Sequence, residues 1–193
     1  IVGHDPTVPG VPQRELVESS EFQSEVIALA VESGRAAEAQ AAYRAMLDRQ
    51  PRQVEWRVGL ARLRLLDGAR DEAAGIFEEG IARFDQQRDL MALADGARRL
   101  GLDEAAVQAA RKAGAASGAA RVNAVLFEAD LIRERGDADK AVVLLKQLSV
   151  DAENDPNVVL PVAEAFERYG DKQEALRLFR RIYELTRGED ILL

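Results

Sequence analysis

The chain has 193 residues, enough to bury a substantial core as one domain or as one repeat array. Its formal net charge of −8 argues against a nucleic-acid-binding surface, which is normally basic, and against adhesion to anionic lipid. The sequence contains no cysteine, which excludes disulfides, thiolate metal sites and cysteine nucleophiles.

The beginning of the chain differs in composition from the rest. Pro6, Pro9 and Pro12 disfavour both helix and central strand, so residues 1–19 are predicted to be a Pro/Gly-rich linker or the end of a preceding element. No apolar run approaches the roughly 20 residues that cross a bilayer, so we expect no direct membrane insertion by this segment.

From Ser20 onward, apolar residues recur with helical spacing in consecutive pairs of segments. The predicted pairs are 20–33 and 36–49, 54–67 and 70–84, 88–100 and 103–114, 120–135 and 138–149, and 157–169 and 172–187. One glycine divides each pair: Gly34, Gly68, Gly101, Gly136 and Gly170. The first and last steps between these glycines are 34 residues. This period predicts an all-α chain of stacked helix hairpins.

An alanine after each turn glycine begins a common apolar register in the second helix. The register contains Ala39/Tyr43/Leu47, Ala73/Phe77/Ile81, Ala141/Leu145 and Ala175/Phe179/Tyr183. In the third pair the corresponding alanine is assigned to Ala105, 32 residues after Ala73 and 36 before Ala141, with Ala109 where an aromatic is expected. The irregular third repeat is interpreted as ordinary degeneracy or, alternatively, as a hinge or binding notch. The capping carboxylates are expected at Asp137 and Asp171.

At these residues the chain resembles the tetratricopeptide-repeat (TPR) family. The matching segments are Gly34…Glu38-Ala39…Tyr43…Leu47…Pro51, Gly68…Glu72-Ala73…Phe77…Ile81, Gly136-Asp137…Ala141 and Gly170-Asp171…Glu174-Ala175…Phe179…Tyr183. The resemblance implies a right-handed superhelical solenoid of about five antiparallel helix hairpins, whose first helices line a concave groove. The array is predicted over 20–187, as 20–53, 54–87, 88–119, 120–155 and 156–187, with 188–193 starting a further element.

The resemblance places a partner-binding groove on the first helices. The candidate groove residues are Arg62, Leu65, Met91, Asp95, Arg98, Arg99, Asp130, Arg133, Glu164 and Glu167. Arginine forks can bind carboxylates bidentately, so these charges predict a polar, charge-complementary protein partner. A hydrated concave face is the alternative. Some family members bind a C-terminal carboxylate with Lys and Asn, but the corresponding positions here carry Ser24/Ala28 and Val58/Arg62.

Few residues suggest catalysis. His4 is the only histidine, which excludes a typical zinc site and a histidine-based triad. The acidic pairs Glu78-Glu79 and Glu189-Asp190 are expected on exposed surfaces. We therefore predict no catalytic residue, no metal site and no cofactor.

The predicted function is a non-enzymatic protein–protein interaction scaffold, as part of a larger bacterial repeat protein. The chain looks like the periplasmic TPR scaffolds of exopolysaccharide-secretion outer-membrane proteins, of the Pel or cellulose type, which implies docking of polysaccharide-modifying enzymes. The alternatives are a cytosolic regulatory TPR domain and an accessory polysaccharide-binding module. The expected groove holds no aromatic platform of the kind that sugars usually require. Because no polar capping helix is predicted, self-association through uncapped ends is also expected.

Overall fold

The computed structural model describes residues 20–115, 119–151 and 154–189, which form ten α-helices and no strand. The helices are α1 (Ser20–Glu32), α2 (Ala36–Arg49), α3 (Val54–Leu66), α4 (Arg70–Arg83), α5 (Gln87–Arg99), α6 (Asp103–Gly114), α7 (Ala119–Glu134), α8 (Ala138–Asp151), α9 (Pro156–Tyr169) and α10 (Lys172–Glu189). The predicted linker over 1–19 and residues 190–193 of the predicted further element lie outside the described residues.

The fold is all-α and consists of repeated helix hairpins, as the sequence predicts. Each helix begins and ends within two residues of its predicted bounds, because the apolar periodicity and the turn glycines act locally. The chain divides into two compact units, Ile1–Gly80 and Ile81–Leu193. In the first unit, α2 packs against α1 and α3. In the second, α6 packs against α5 and α7, and α8 packs against α7 and α9.

The five turn glycines share one hydrogen-bond pattern. Each glycine N–H donates to the carbonyl three residues before it, and the next residue's N–H donates to the carbonyl five residues before it. This pair of bonds is the Schellman motif, which ends a helix with one residue of left-handed backbone. The glycines have φ between 67° and 92°, a region that side chains with a Cβ disfavour. The repeat period of the sequence therefore reflects the same helix-ending turn recurring once in each hairpin.

The same hydrogen bonds correct the alanine register in the third repeat. The Ala106 N–H donates to the carbonyl of Leu102, the residue directly after the turn glycine, as the register alanines of the other hairpins do. The assignment to Ala105 is therefore wrong by one residue, and the offsets are 33 and 35 residues. The expected aromatic position is Ala110, not Ala109. Both pairs are buried alanines, so only the backbone distinguishes them.

Short side chains make α6 a thin helix between two neighbours. Its buried residues are Ala105, Ala106, Val107, Ala109, Ala110 and Ala113. Since none of them is larger than valine, α5 and α7 can both pack closely on α6. The remainder of the second unit is built on larger residues, among them the fully buried Leu145, Phe166 and Leu178. Burying a leucine or phenylalanine side chain contributes about 1.5–3 kcal/mol.

The first unit is organised around the Tyr43 ring. Tyr43 is buried on α2 and contacts Trp56 of α3 edge to face, with the ring centroids 6.0 Å apart. The ring lies against the backbone of Gly59: a Cβ added to Gly59 would be 2.2 Å from Cε1 of Tyr43. A glycine in the middle of α3 thus allows the aromatic residue of the repeat register to reach the helix backbone.

A buried arginine also stabilises this unit. Arg57 of α3 donates hydrogen bonds to the carbonyls of Ile76 and Pro51, at 3.1 Å each, and its Nη1 lies 3.8 Å from Oε2 of Glu79. These bonds join α3, α4 and the loop after α2. Sequence periodicity does not predict a buried residue at this position. Arg57 lies where the helical pattern expects an apolar side chain, but its charge is typical of exposed residues.

Side-chain capping differs between two hairpins that look alike in sequence. Oδ1 of Asp171 accepts a hydrogen bond from the Glu174 N–H at 3.1 Å, which is the predicted cap of α10. Oδ2 of Asp137 instead accepts one from Nζ of Lys140 at 2.8 Å. The predicted cap is thus confirmed at Asp171, whereas Asp137 makes a different contact.

The register residue Tyr183 is exposed, although it continues the apolar register of the second helices. Its side chain is 61% exposed, and the guanidinium of Arg187 lies 5.6 Å from its ring centroid. The corresponding Leu47 of α2 is buried. The physical reason is that α3 packs on α2, whereas no described helix follows α10.

None of the helices in the described ranges is long and apolar enough to span a membrane.

Candidate functional site

Eight of the ten predicted groove residues lie in the second unit, on its first helices. They are Met91, Asp95, Arg98 and Arg99 of α5, Asp130 and Arg133 of α7, and Glu164 and Glu167 of α9. Neighbouring members of this set of helices contact each other, α5 with α7 and α7 with α9. The solvent-facing residues of these three helices are called the α5–α7–α9 face below. Each of the eight is exposed or half-buried and accessible to a partner.

The residues of this face form three rows when they are counted back from the turn glycines. Ten residues before the glycine are Met91, Leu126 and Leu160; six before it are Asp95, Asp130 and Glu164; three before it are Arg98, Arg133 and Glu167. Because each hairpin ends in the same turn, equal distances from the glycine place residues at equivalent points on adjacent helices. The face therefore has an apolar row, an acidic row and a row that changes from basic to acidic.

Arg98 joins α5 to α7. Its Nη2 donates a hydrogen bond to Oε1 of Glu134. The same guanidinium lies 5.5 Å from the centroid of the Phe127 ring, within cation–π range. Both charged side chains are partly exposed, so the pair contributes at most about 1 kcal/mol to stability. Its main effect is to orient Arg98 across the two helices.

Tyr169 and Asp130 join α7 to α9. The Tyr169 hydroxyl donates to Oδ1 of Asp130 at 2.9 Å, and Nη2 of Arg168 lies 3.7 Å from Oδ2 of the same carboxylate. Arg133 lies over the Tyr169 ring, with 4.8 Å between its guanidinium carbon and the ring centroid.

The environment keeps this tyrosine protonated. Burial raises the pKa of Tyr169 above its usual value, and the hydrogen bond to Asp130 and the charge of that carboxylate raise it further. The charges of Arg133 and Arg168 oppose the shift. Tyr169 therefore remains a hydrogen-bond donor at neutral pH and holds the Asp130 carboxylate in place.

The acidic end of the face is more open to a partner than the basic end. Asp95 forms an ion pair with Arg99 of its own helix at 3.0 Å. Glu164 and Glu167 are exposed, and neither has an ion pair within the described part of the chain. Leu160, one turn earlier on α9, is also exposed. Helix α9 thus offers two carboxylates and an apolar side chain to solvent.

Arg62 and Leu65, the other predicted groove residues, lie on α3 in the first unit. Arg62 is exposed and Leu65 is half-buried. Burial raises the pKa of Tyr43 to about 12, and the positive charge of nearby Arg62 opposes part of this shift. Arg62 therefore also has an electrostatic role inside its own unit.

Four residues that make polar or ring contacts at the face are absent from the sequence prediction. They are Phe127, Glu134, Arg168 and Tyr169. A signal for one of them exists: Arg98 and Glu134 have opposite charges and lie about one repeat apart on first helices. Pairing charges at that spacing would have found Glu134. The tyrosine contact depends on side-chain directions that the spacing does not specify.

The described residues contain no group of three or more acidic or histidine side chains placed to hold a metal ion. His4 lies outside the described residues. Glu78 and Glu79 are exposed, as expected from the sequence. The chemistry of the α5–α7–α9 face consists of ion pairing, hydrogen bonding and apolar contact.

Comparisons with known proteins identify the repeat. No curated protein sequence matches the chain. The solved structure of MamA shares 18% identity at a TM-score of 0.43, covering 83% of this chain and 94% of that one. YrrB, described as a TPR protein with an unusual peptide-binding site, shares 13% identity at a TM-score of 0.39 and covers 89% of each chain. The tetratricopeptide repeat family matches residues 30–95. The later hairpins repeat the same turn and alanine register as the segment that matches this family.

Proposed function

We propose that the chain is a non-catalytic scaffold that binds a protein segment on the α5–α7–α9 face. The observation that carries this proposal is the alignment of three rows of equivalent residues on three packed first helices. Repeat solenoids commonly bind extended partners on such surfaces, because each repeat adds one equivalent contact.

The charges of the face favour a partner with a basic and apolar segment. Glu164 and Glu167 are exposed acids without ion pairs in the described structure, so a partner cation can approach them without displacing an internal one. Leu160 supplies apolar contact beside them. Toward α5 and α7, a partner carboxylate would instead meet Arg98 and Arg133, the basic residues of the third row. The segment that fits is therefore basic where it contacts α9 and acidic where it contacts α5.

Charge reversal at α9 tests this proposal. We expect the double variant Glu164→Lys/Glu167→Lys not to recover the proteins that the wild-type chain recovers from bacterial lysate. Both substitutions reverse the charge of the contact surface without breaking an internal ion pair. The matched control is Glu78→Lys/Asp139→Lys, which makes the same charge change on the exposed second helices α4 and α8. Equal recovery by both double variants would contradict the assignment of the face.

We also propose the pathway that the family resemblance implies, namely docking of enzymes during exopolysaccharide secretion in the periplasm. Support comes from the sequence resemblance alone. We expect the wild-type chain and the control variant to recover polysaccharide-modifying enzymes, and Glu164→Lys/Glu167→Lys not to recover them. Recovery of cytosolic regulators in the same pattern would favour the alternative of a cytosolic regulatory domain.

A further inference from the structure

Successive hairpins of the second unit bury one flank of each second helix. Helix α7 packs on α6, and α9 packs on α8. Six residues after the turn glycine, Val107 of α6 is buried and Val142 of α8 is half-buried. Thirteen residues after it, Gly114 of α6 is half-buried and Ser149 of α8 is buried. These positions mark the flank that receives the first helix of the next hairpin.

The same flank is exposed in α10. At the equivalent positions, Leu176 is 51% exposed and Tyr183 is 61% exposed. Phe179 and Ile182 lie between them and are half-buried against the core. We call Leu176, Phe179, Ile182 and Tyr183 the α10 flank. Two exposed large apolar residues beside two half-buried ones form a contiguous apolar patch, and such patches commonly mark interaction sites.

The complementary flank is exposed in α1. Eight and five residues before the turn glycine, the first helices carry buried residues in all later hairpins: Leu60 and Leu63, Leu93 and Gly96, Glu128 and Leu131, and Val162 and Ala165. In α1 the same positions are Val26, 37% exposed, and Leu29, 65% exposed. We call Val26 and Leu29 the α1 flank. The later first helices α3, α7 and α9 each pack on the second helix before them, and no described helix precedes α1.

The charges beside the two flanks are opposite. Helix α1 has no basic residue, and its Glu25 and Glu32 are exposed. Around Leu176, helix α10 carries three arginines, Arg177, Arg180 and Arg181, and the acid Glu184. Arg177 pairs with Glu174 and Arg181 pairs with Glu184, whereas Arg180 and Arg187 are exposed. Approach of α1 to α10 therefore brings acids toward arginines, whereas approach of two α10 helices brings like charges together.

We propose that the α10 flank of one chain receives the α1 flank of a second copy, so that the contact between α8 and α9 is repeated between molecules. This inference goes beyond the proposed function, because it uses no residue of the α5–α7–α9 face. The two flanks differ, so the contact is heterologous and each added copy presents a new free flank. Heterologous contacts of this kind build rings or open chains of copies.

Two variants with one blocked flank each test the proposal by sedimentation velocity over a concentration series. Leu29→Glu blocks the α1 flank and Leu176→Glu blocks the α10 flank. Each variant alone is expected to associate at least tenfold more weakly than wild type. An equimolar mixture is expected to form a dimer and nothing larger, because only one α10 flank and one α1 flank remain functional.

The control is Val143→Glu, at a residue of α8 that is 67% exposed and belongs to neither flank. It is expected to associate like wild type. Circular dichroism checks that each variant is folded, and Leu29→Gln or Leu176→Gln replaces a variant that is not. Three results would overturn the proposal: a wild-type chain that stays monomeric at about 1 mM, a mixture that stays monomeric, or dimers that Leu29→Glu alone forms as readily as wild type does.

Discussion

At the scale of single residues, one missing Cβ determines how α2 meets α3. A Cβ at Gly59 would lie 2.2 Å from the buried Tyr43 ring, which cannot move freely because Trp56 packs against it. We expect Gly59→Ala to lower the free energy of unfolding by about 1–3 kcal/mol, the typical cost of overpacking. The higher helix propensity of alanine, about 1 kcal/mol, offsets part of this loss. Urea unfolding followed by circular dichroism measures the change.

Gly75 is the matched control, because it also lies inside a helix of the same unit but has no heavy atom within 4 Å of an added Cβ. Gly75→Ala is expected to raise the free energy of unfolding by about 0.5–1 kcal/mol. If Gly59→Ala were as stable as Gly75→Ala, the close approach of Tyr43 to α3 would be wrong.

At the scale of elements, the hairpins share their turn but differ in the cap of the second helix. Asp171 caps the α10 backbone, so Asp171→Ala is expected to cost about 1 kcal/mol of stability. Asp137 contacts an exposed lysine side chain, and Asp137→Ala is expected to cost less than half as much. Thermal unfolding of both variants compares the two losses. Equal losses would show that the hydrogen bond from Glu174 adds nothing beyond a surface ion pair.

At the scale of the whole molecule, stability in a repeat protein is approximately a sum of local terms. The chain forms two compact units, with Gly59 in the first and Asp171 in the second. We expect Gly59→Ala to accelerate amide hydrogen exchange mainly in residues 20–80, and Asp171→Ala mainly in 154–189. Hydrogen exchange followed by mass spectrometry resolves the two regions. Uniform acceleration along the chain in both variants would mean that the units unfold as one.

The helices could be predicted from the sequence because their signals are local. The hydrogen bonds of each turn join a glycine and the next residue to carbonyls within five residues. The apolar residues that define a helix are likewise three or four positions apart. For the same reason, the three rows of the α5–α7–α9 face follow from counting back from Gly101, Gly136 and Gly170. The position of a residue on a regular helix depends only on its distance from the helix end.

Contacts between helices were decided by the tertiary structure. Neither the Tyr43 ring against Gly59 nor the Tyr169 hydrogen bond to Asp130, 39 residues apart, follows from spacing, because both depend on side-chain directions. The third repeat is a further example. Ala105 and Ala106 are the same residue type, and only the hydrogen bond from the Ala106 N–H to the Leu102 carbonyl distinguishes them.

The sequence by itself therefore determined the period, the helices and the residues that share a face, since these depend on hydrogen bonds and spacings inside one hairpin. Only the tertiary structure decided which of those residues are covered. Tyr183 carries the pattern of a core residue, yet it is exposed. Its burial requires a neighbouring helix that packs against it, and the apolar pattern of α10 does not by itself supply that helix.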